Sequence, residues 1–412
     1  MKMLRKMKLM LLLLAVVFMV LIQISYHMTT TSQKSTNHID DSSNLTYKQI
    51  NQLESRIYIN TRTGGDQSKQ RYLIYNCDGK SGPCGGLFDQ LKGVMTGYLI
   101  SQLTDRVFLI EMTSTSCKLS SYLSPNKVAW NNTIPKNVLT KLTKSRKYFV
   151  DSVTFYKGVA TYDFQELFKE DVIYFRANLD YIDNLKLNVN YKSKLKWMEN
   201  RTRDKIYQNI FHDLFKISDK IQLILDDFLE RAKPRAAKNS SLVCAHIRTG
   251  RNPTIPRDSK VISTTEDVKN GLRFLHQKVC EISKNRSQSC LNETSTGSNF
   301  YKHVKVFVSS DSYDVLETVR QEFKMEIVEN KGVIVHVELG RQHKNICEGF
   351  EKLVSDFLIL TKCDVLLLSK SGLSRMASYI RGGSNGLYCN IKNKGVQKCE
   401  VEKLKSLYKV KG

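Results

Sequence analysis

The sequence predicts an α/β protein in two halves, each a parallel sheet with crossover helices. Three observations carry this. Val304–Val308, Val333–Val337 and Val365–Leu368 are apolar β-type runs that alternate with two amphipathic, helix-like runs. The last run ends in Ser369-Lys-Ser371-Gly372-Leu-Ser374, a small-residue turn that opens a helix and presents free N–H groups where a phosphate binds. Earlier in the chain, a strand at Arg71–Gly79, a Gly-rich turn at Gly85–Gly86, a helix over about Phe88–Leu103 and a strand at Arg106–Ile110 form a βαβ unit.

From the N-terminus, Leu9–Ile22 is apolar without a break and is preceded by Lys2, Arg5, Lys6 and Lys8. The length is short for a membrane span, and a secretory signal peptide looks similar. No Ala-x-Ala-like cleavage site follows, which favours an uncleaved signal-anchor over residues 9–26 with residues 1–8 cytoplasmic. The short span suits a thin early-secretory bilayer, hence a single-pass type II protein of the Golgi or endoplasmic reticulum membrane. Residues 27–65, polar and without periodicity, read as a stem.

The first half is expected over residues 66–235. After its βαβ unit come a strand at Asp171–Ala177 and helices near Arg203–Phe215 and Asp219–Arg231. Arg231–Ser241, with Pro, small residues and a sequon, reads as a linker. The second half, residues 240–412, opens with an apolar strand from Leu242 that ends in His246-Ile-Arg248, followed by a helix at Thr265–Ile282 and the three-run pattern above. In doubly wound sheets a ligand lies at the strand C-terminal ends, here in the cleft between the halves.

Six N-x-S/T sequons (Asn44, Asn131, Asn200, Asn239, Asn285 and Asn292) suit a lumenal chain. So do 10 cysteines, read as disulfides in an oxidising compartment. The close pairs Cys77/Cys84, Cys280/Cys290 and Cys389/Cys399 make local bridges easy, although connectivity is not legible in sequence. No cysteine or histidine spacing suggests zinc. The net charge of +24 is either a solvated basic surface or an attraction for anions, and lumenal routing argues against nucleic acid as the partner.

His246-Ile-Arg248 stands where a buried strand emerges. An arginine there can grip a diphosphate, and the alternative is an incidental polar strand end. With VFVSSD ending at Asp311, the helix carboxylate Asp356 and the turn LSKSGLSRMA, the chain resembles the fucosyltransferase superfamily, which comprises the α1,2-, α1,6- and protein-O-fucosyltransferases. The resemblance is best over 242–381. It implies the GT-B fold, two facing Rossmann-like domains, with GDP-fucose as donor, no metal, and inversion at the transferred sugar. By that resemblance Arg248 binds the β-phosphate and His246 lies beside it in the nucleotide pocket. Asp356 reads guanine and Asp311 lies near the ribose, while Ser371, Gly372 and Ser374 form the phosphate turn with Arg375 within it. Asp311, Ser371 and Ser374 can equally be helix caps, and Asp356 a plain helix position.

The chain departs from the family's HxRRxD run. Thr249 stands in place of the second arginine and no acid follows, leaving Arg251 as substitute charge and Asp258 and Glu266 as the nearest carboxylates. Gly85–Asp89 resembles the family's first-domain turn, where Asp89 is either the catalytic base or the cap of the next helix. Lys92 and Arg106 are further candidates for positive charge near the cleft. No D-x-D motif, used to hold a metal on a diphosphate, occurs. The expected activity is fucosyl transfer to a glycan or glycoprotein hydroxyl, with no cofactor and no metal. The alternatives are a transferase using another nucleotide-sugar, a non-catalytic lumenal glycan-binding or scaffold protein, and a sulfotransferase.

Overall fold

The computed structural model describes residues 70–408 except 81–83, 141, 143, 236, 238–239, 251–259, 285–302, 325 and 338–341. The expected signal-anchor and stem lie outside these residues, as do Arg251, Asp258 and the sequons at Asn44, Asn239, Asn285 and Asn292. Among the described residues no helix is long and apolar enough to cross a membrane.

The first sheet starts with β1 (Tyr72–Cys77), every residue of which is buried. A turn leads into α1 (Leu87–Leu103), then β2 (Val107–Met112). The short β3 (Leu123–Pro125) follows, then β4 (Ser145–Phe149) and β5 (Val172–Arg176). The strand order is β2-β1-β5-β4, parallel throughout. The chain leaves β1 to one side for β2 and returns to the other for β5. The crevice between β1 and β5, at the strand C-terminal ends, is therefore a topological switch point. α1 is buried along nearly its whole length because it packs on β1, β2 and β5 and also meets a helix of the second half. Its Gly93 has no room for a side chain: a Cβ there would stand 1.8 Å from the Ala177 carbonyl oxygen.

The helices α2 (Arg203–Leu214) and α3 (Asp219–Ala232) flank β6 (Phe215–Ile217), which pairs with β3 in a two-stranded antiparallel ribbon. The Ser218 hydroxyl caps α3 by accepting from the Ile221 N–H.

The second sheet contains β7 (Ser241–Ile247), then α4 (Thr265–Lys284), β8 (Val304–Ser310) and α5 (Tyr313–Glu322). It continues with α6 (Ile346–Leu360), β9 (Val365–Leu368), α7 (Gly372–Arg381), β10 (Leu387–Ile391) and β11 (Gly395–Lys398). The order is β11-β10-β9-β7-β8, with only the β10–β11 pair antiparallel. The switch point lies between β7 and β9, beside the Arg248 loop and the N-terminus of α7.

The expectation of a strand at Val333–Val337 is corrected: this run joins no sheet. Ile334, Val335 and Val337 are buried all the same, because Val335 packs so closely on α6 that a Cβ on Gly349 would meet it at 2.6 Å. Burial, which makes such runs apolar, is satisfied here without a ladder.

One apolar core runs through both sheets across the expected 235–240 boundary, and residues 66–412 form one compact unit. Phe88 packs on Phe357 at 4.9 Å and Tyr122 stacks on Phe350 at 4.9 Å. The Cys117–Cys347 disulfide crosses the same seam. The last helix, α8 (Leu404–Leu407), returns to the first half, where Lys405 pairs with Asp180 at 3.1 Å and Asp183 at 2.9 Å. The local bridges Cys77–Cys84 and Cys389–Cys399 form as expected, and Cys244–Cys363 staples β7 to the end of α6. Cys280 is also disulfide-bonded, and its expected partner Cys290 lies outside the described residues.

Candidate functional site

The ends of β7, β8 and β9 carry most of the expected site residues, and these residues hold one another. His246 is buried and its Nδ1 lies 2.6 Å from the Ser374 hydroxyl and 3.4 Å from that of Ser369. Burial, helped by the nearby Arg248 charge, lowers the imidazole pKa to about 3, so the ring is neutral at physiological pH. Ser374 has no exposed surface and also accepts from the Ser369 N–H. The Ser369 hydroxyl in turn accepts from the Arg248 N–H at 2.9 Å.

Asp311 is the clamp of the loop after β7. Its carboxylate accepts from Arg248 Nη1 at 2.6 Å, from the Thr249 N–H at 2.7 Å, from the Thr249 hydroxyl at 3.0 Å and from the Gly250 N–H at 2.9 Å. Thr249, which stands where the family has an arginine, is thus part of the clamp. Ser312, the residue after Asp311, caps α5, so the cap reading considered for Asp311 belongs to its neighbour.

Asp356 is buried on α6 and both of its oxygens are engaged. Oδ2 accepts from the Ser309 hydroxyl at 2.8 Å, Oδ1 from Asn330 Nδ2 at 2.6 Å, and Lys352 Nζ lies 3.1 Å from Oδ2. Lys352 also donates to the Asn330 carbonyl. As it stands, this network leaves no lone acceptor for a nucleobase.

The N-terminus of α7 is where the two halves meet. Ser371 is its cap and accepts from the Leu373 N–H at 3.2 Å. Gly372, its first residue, faces Asp89: a Cβ there would stand 3.0 Å from Asp89 Oδ1 and 3.4 Å from Phe88 Cβ. Asp89 belongs to the first turn of α1, whose cap position is the side-chain-less Gly86. It is two-fifths exposed and pairs with Lys92 at 2.8 Å, while Lys92 itself is buried. Burial pulls the Lys92 ammonium below the usual lysine range; Asp89 opposes that pull and Arg375 adds to it. Arg375 is only 6% exposed, and its side chain makes no hydrogen bond or ion pair among the described residues.

Sequence reasoning treated Lys92 as a peripheral candidate, and the structure puts it at the centre. Its burial is signalled only by the absence of a polar face along α1. Arg106, the companion candidate, is corrected: it lies buried at the base of the first sheet and donates to the carbonyls of Phe168, Glu170 and Asp171. Glu266 sits in the first turn of α4, where it pairs with Arg273. The sequon residues Asn131 and Asn200 are exposed. Among the described residues no group of three or more His, Cys, Asp or Glu side chains is placed to hold a metal ion.

No family model matches the chain, and no curated protein matches it in sequence. Solved structures do match in fold. A mutant of Arabidopsis thaliana FUT1 in complex with GDP aligns over 83% of this chain and 74% of its own, with a TM-score of 0.53 and 12% identity. Fucosyltransferase NodZ from Bradyrhizobium aligns over 81% and 99%, with a TM-score of 0.45 and 14% identity. POFUT1 in complex with GDP-fucose aligns over 81% and 100%, with a TM-score of 0.39 and 11% identity. The expected resemblance to the fucosyltransferase superfamily is thus met at the level of the fold.

Proposed function

We propose that this chain is a glycosyltransferase that moves fucose from GDP-fucose to a hydroxyl of a glycan or glycoprotein, with inversion and without a metal. The observation that carries the reading is the α7 N-terminus at the second switch point, where the bare, buried Arg375 sits in a fold shared with a GDP-complexed FUT1. The helix N-terminus and Arg375 stabilise the diphosphate as negative charge develops on it. Arg248, set in place by Asp311 and Ser369, adds charge at the end of β7. Asp89 is the base: it takes the acceptor hydroxyl proton as the acceptor oxygen bonds to C1 and the C1–O bond to the diphosphate breaks, with GDP leaving on the electron pair. His246 is a neutral support for Ser374, and Asp356 holds α6 to the end of β8. The disulfides among the described residues favour a lumenal setting, with residues 9–26 as anchor to a Golgi membrane.

The test is thermal unfolding of the full chain with GDP, UDP or CMP, with and without EDTA. GDP at about 100 times its dissociation constant should add about 2.7 kcal/mol of stability. That protection should be selective for GDP, insensitive to EDTA and lost in Arg375→Met. Absence of protection by any nucleotide would shift the reading to a glycan-binding scaffold, which the self-paired His246, Asp311 and Asp356 would also suit.

A further inference from the structure

One part of the seam between the halves, around Lys92, concentrates charge. Four cations (Lys92, Arg203, Arg375 and Lys405) face three carboxylates (Asp89, Asp180 and Asp183). Asp180 and Asp183 are taken up by Lys405 and Arg203: Arg203 pairs with Asp183 at 2.5 Å, and Lys405 reaches both acids. Asp180 also acts on Lys92 from a distance, but the carboxylate in direct contact with Lys92 is the two-fifths exposed Asp89, and Arg375 is a second cation acting on Lys92. Burying two like charges with one carboxylate between them is unfavourable unless a further anion completes the group. The Asp89 carboxylate occupies the place such an anion would take, since the oxygen that meets Lys92 also faces Gly372 at the start of α7. The serine hydroxyls of the turn do not compete for that place, because Ser374 is bound to His246 and Ser371 to Leu373.

We propose that Lys92 and Arg375 form one diphosphate subsite spanning both sheets, with Asp89 as its resident counter-ion, displaced from Lys92 when the ligand's phosphates arrive. This rests on the donor reading above only for the identity of the diphosphate carrier. It adds an order of events: Asp89 is held by Lys92 in the empty protein and becomes a free carboxylate once the diphosphate is in place. Donor binding therefore precedes a productive encounter with the acceptor.

The experiment is calorimetric titration of the full chain with inorganic pyrophosphate and, separately, with GDP and UDP. Asp89→Asn removes the competing anion and should bind pyrophosphate about fivefold more tightly, equivalent to about 1 kcal/mol. Lys92→Met and Arg375→Met should each weaken it by about tenfold or more, while Lys92→Arg keeps most of the affinity. Lys92→Gln serves if Lys92→Met does not fold. A Lys92–Asp89 pair remote from the bound anion would leave pyrophosphate affinity unchanged in both variants. Unchanged or weaker pyrophosphate binding in Asp89→Asn overturns the proposal, as does failure of the wild type to bind pyrophosphate. If the opposite signs appear but GDP binds no better than UDP, the subsite stands and the GDP-fucose reading falls. If GDP is selected but Asp89→Asn weakens binding, the donor reading stands and the subsite falls.

Discussion

Each half brings a helix N-terminus to the switch point of a parallel sheet, yet the two ends are furnished differently. At α7 most of the side chains that the resemblance offers as donor ligands are already paired inside the protein. His246 holds Ser374, Asp311 holds the Arg248 loop, and Asp356 is enclosed by Ser309, Asn330 and Lys352. At α1 the cap is a glycine, the acid of the first turn is two-fifths exposed, and its lysine partner is buried. On the proposed reading the paired side chains of the second half build the frame, and Asp89 and Lys92 of the first half act together with Arg375 at the ligand. A polar residue that marks a motif can therefore do so by building the frame, while the ligand contacts proposed above fall on the less distinctive Asp89 and Lys92.

The largest effect should fall on the α1 side. Asp89→Asn removes the proposed base and should slow transfer about 10²- to 10⁴-fold. Asp89 is itself two-fifths exposed, but the change leaves buried Lys92 short of a carboxylate, so it should cost about 1–2 kcal/mol, less than a pair buried on both sides. Transfer rate and melting temperature, measured together on the purified protein, decide it. A large drop in melting temperature would mean that Asp89 is as locked as its counterparts in the second half, and the contrast would fail.

On the locked side the balance should reverse. Asp356→Asn breaks a buried pair with Lys352 and should destabilise by about 3 kcal/mol. Guanine-over-uracil preference should persist in the folded fraction. Loss of that preference without loss of stability, read from GDP and UDP titrations of the variant, would return Asp356 to the role of base reader and turn the frame into a ligand site.

The frame was legible in sequence where physics writes a local signal. β7, β8 and β9 are mainly apolar runs because both faces of the second sheet are covered, and α1 and α3 are helices with clear starts. β4 was not legible: Ser145–Phe149 carries Arg146 and Lys147 on exposed positions and joins the sheet as an edge. Nor was β10, a short run between glycine turns that pairs with Leu366–Leu368. The site was half legible. Residue types at strand ends announced a nucleotide-type cradle, but which of them are consumed by one another depends on contacts such as His246–Ser374, 128 residues apart. The long disulfides Cys117–Cys347 and Cys244–Cys363 are hidden for the same reason.

The smallest predicted effect probes the frame through pH. His246 is neutral in the fold, with its pKa lowered to about 3 from an ordinary 6.5. Below pH 6.5 the unfolded chain binds a proton there that the native state does not, so stability falls as pH drops and the loss is complete only near pH 3. At pH 5 this amounts to about 2 kcal/mol relative to neutral pH, from about 1.4 kcal/mol per unit. The groups facing the ring (Ser374, Ser369 and the Arg248 charge) supply no carboxylate to stabilise an imidazolium. His246→Asn keeps a polar partner for Ser374 but cannot titrate. Its stability between pH 7 and 5, followed by chemical denaturation, should fall less steeply than the wild type by about one proton. Equal slopes would mean that His246 is protonated in the native state and that the second half's cradle is looser than its hydrogen bonds indicate.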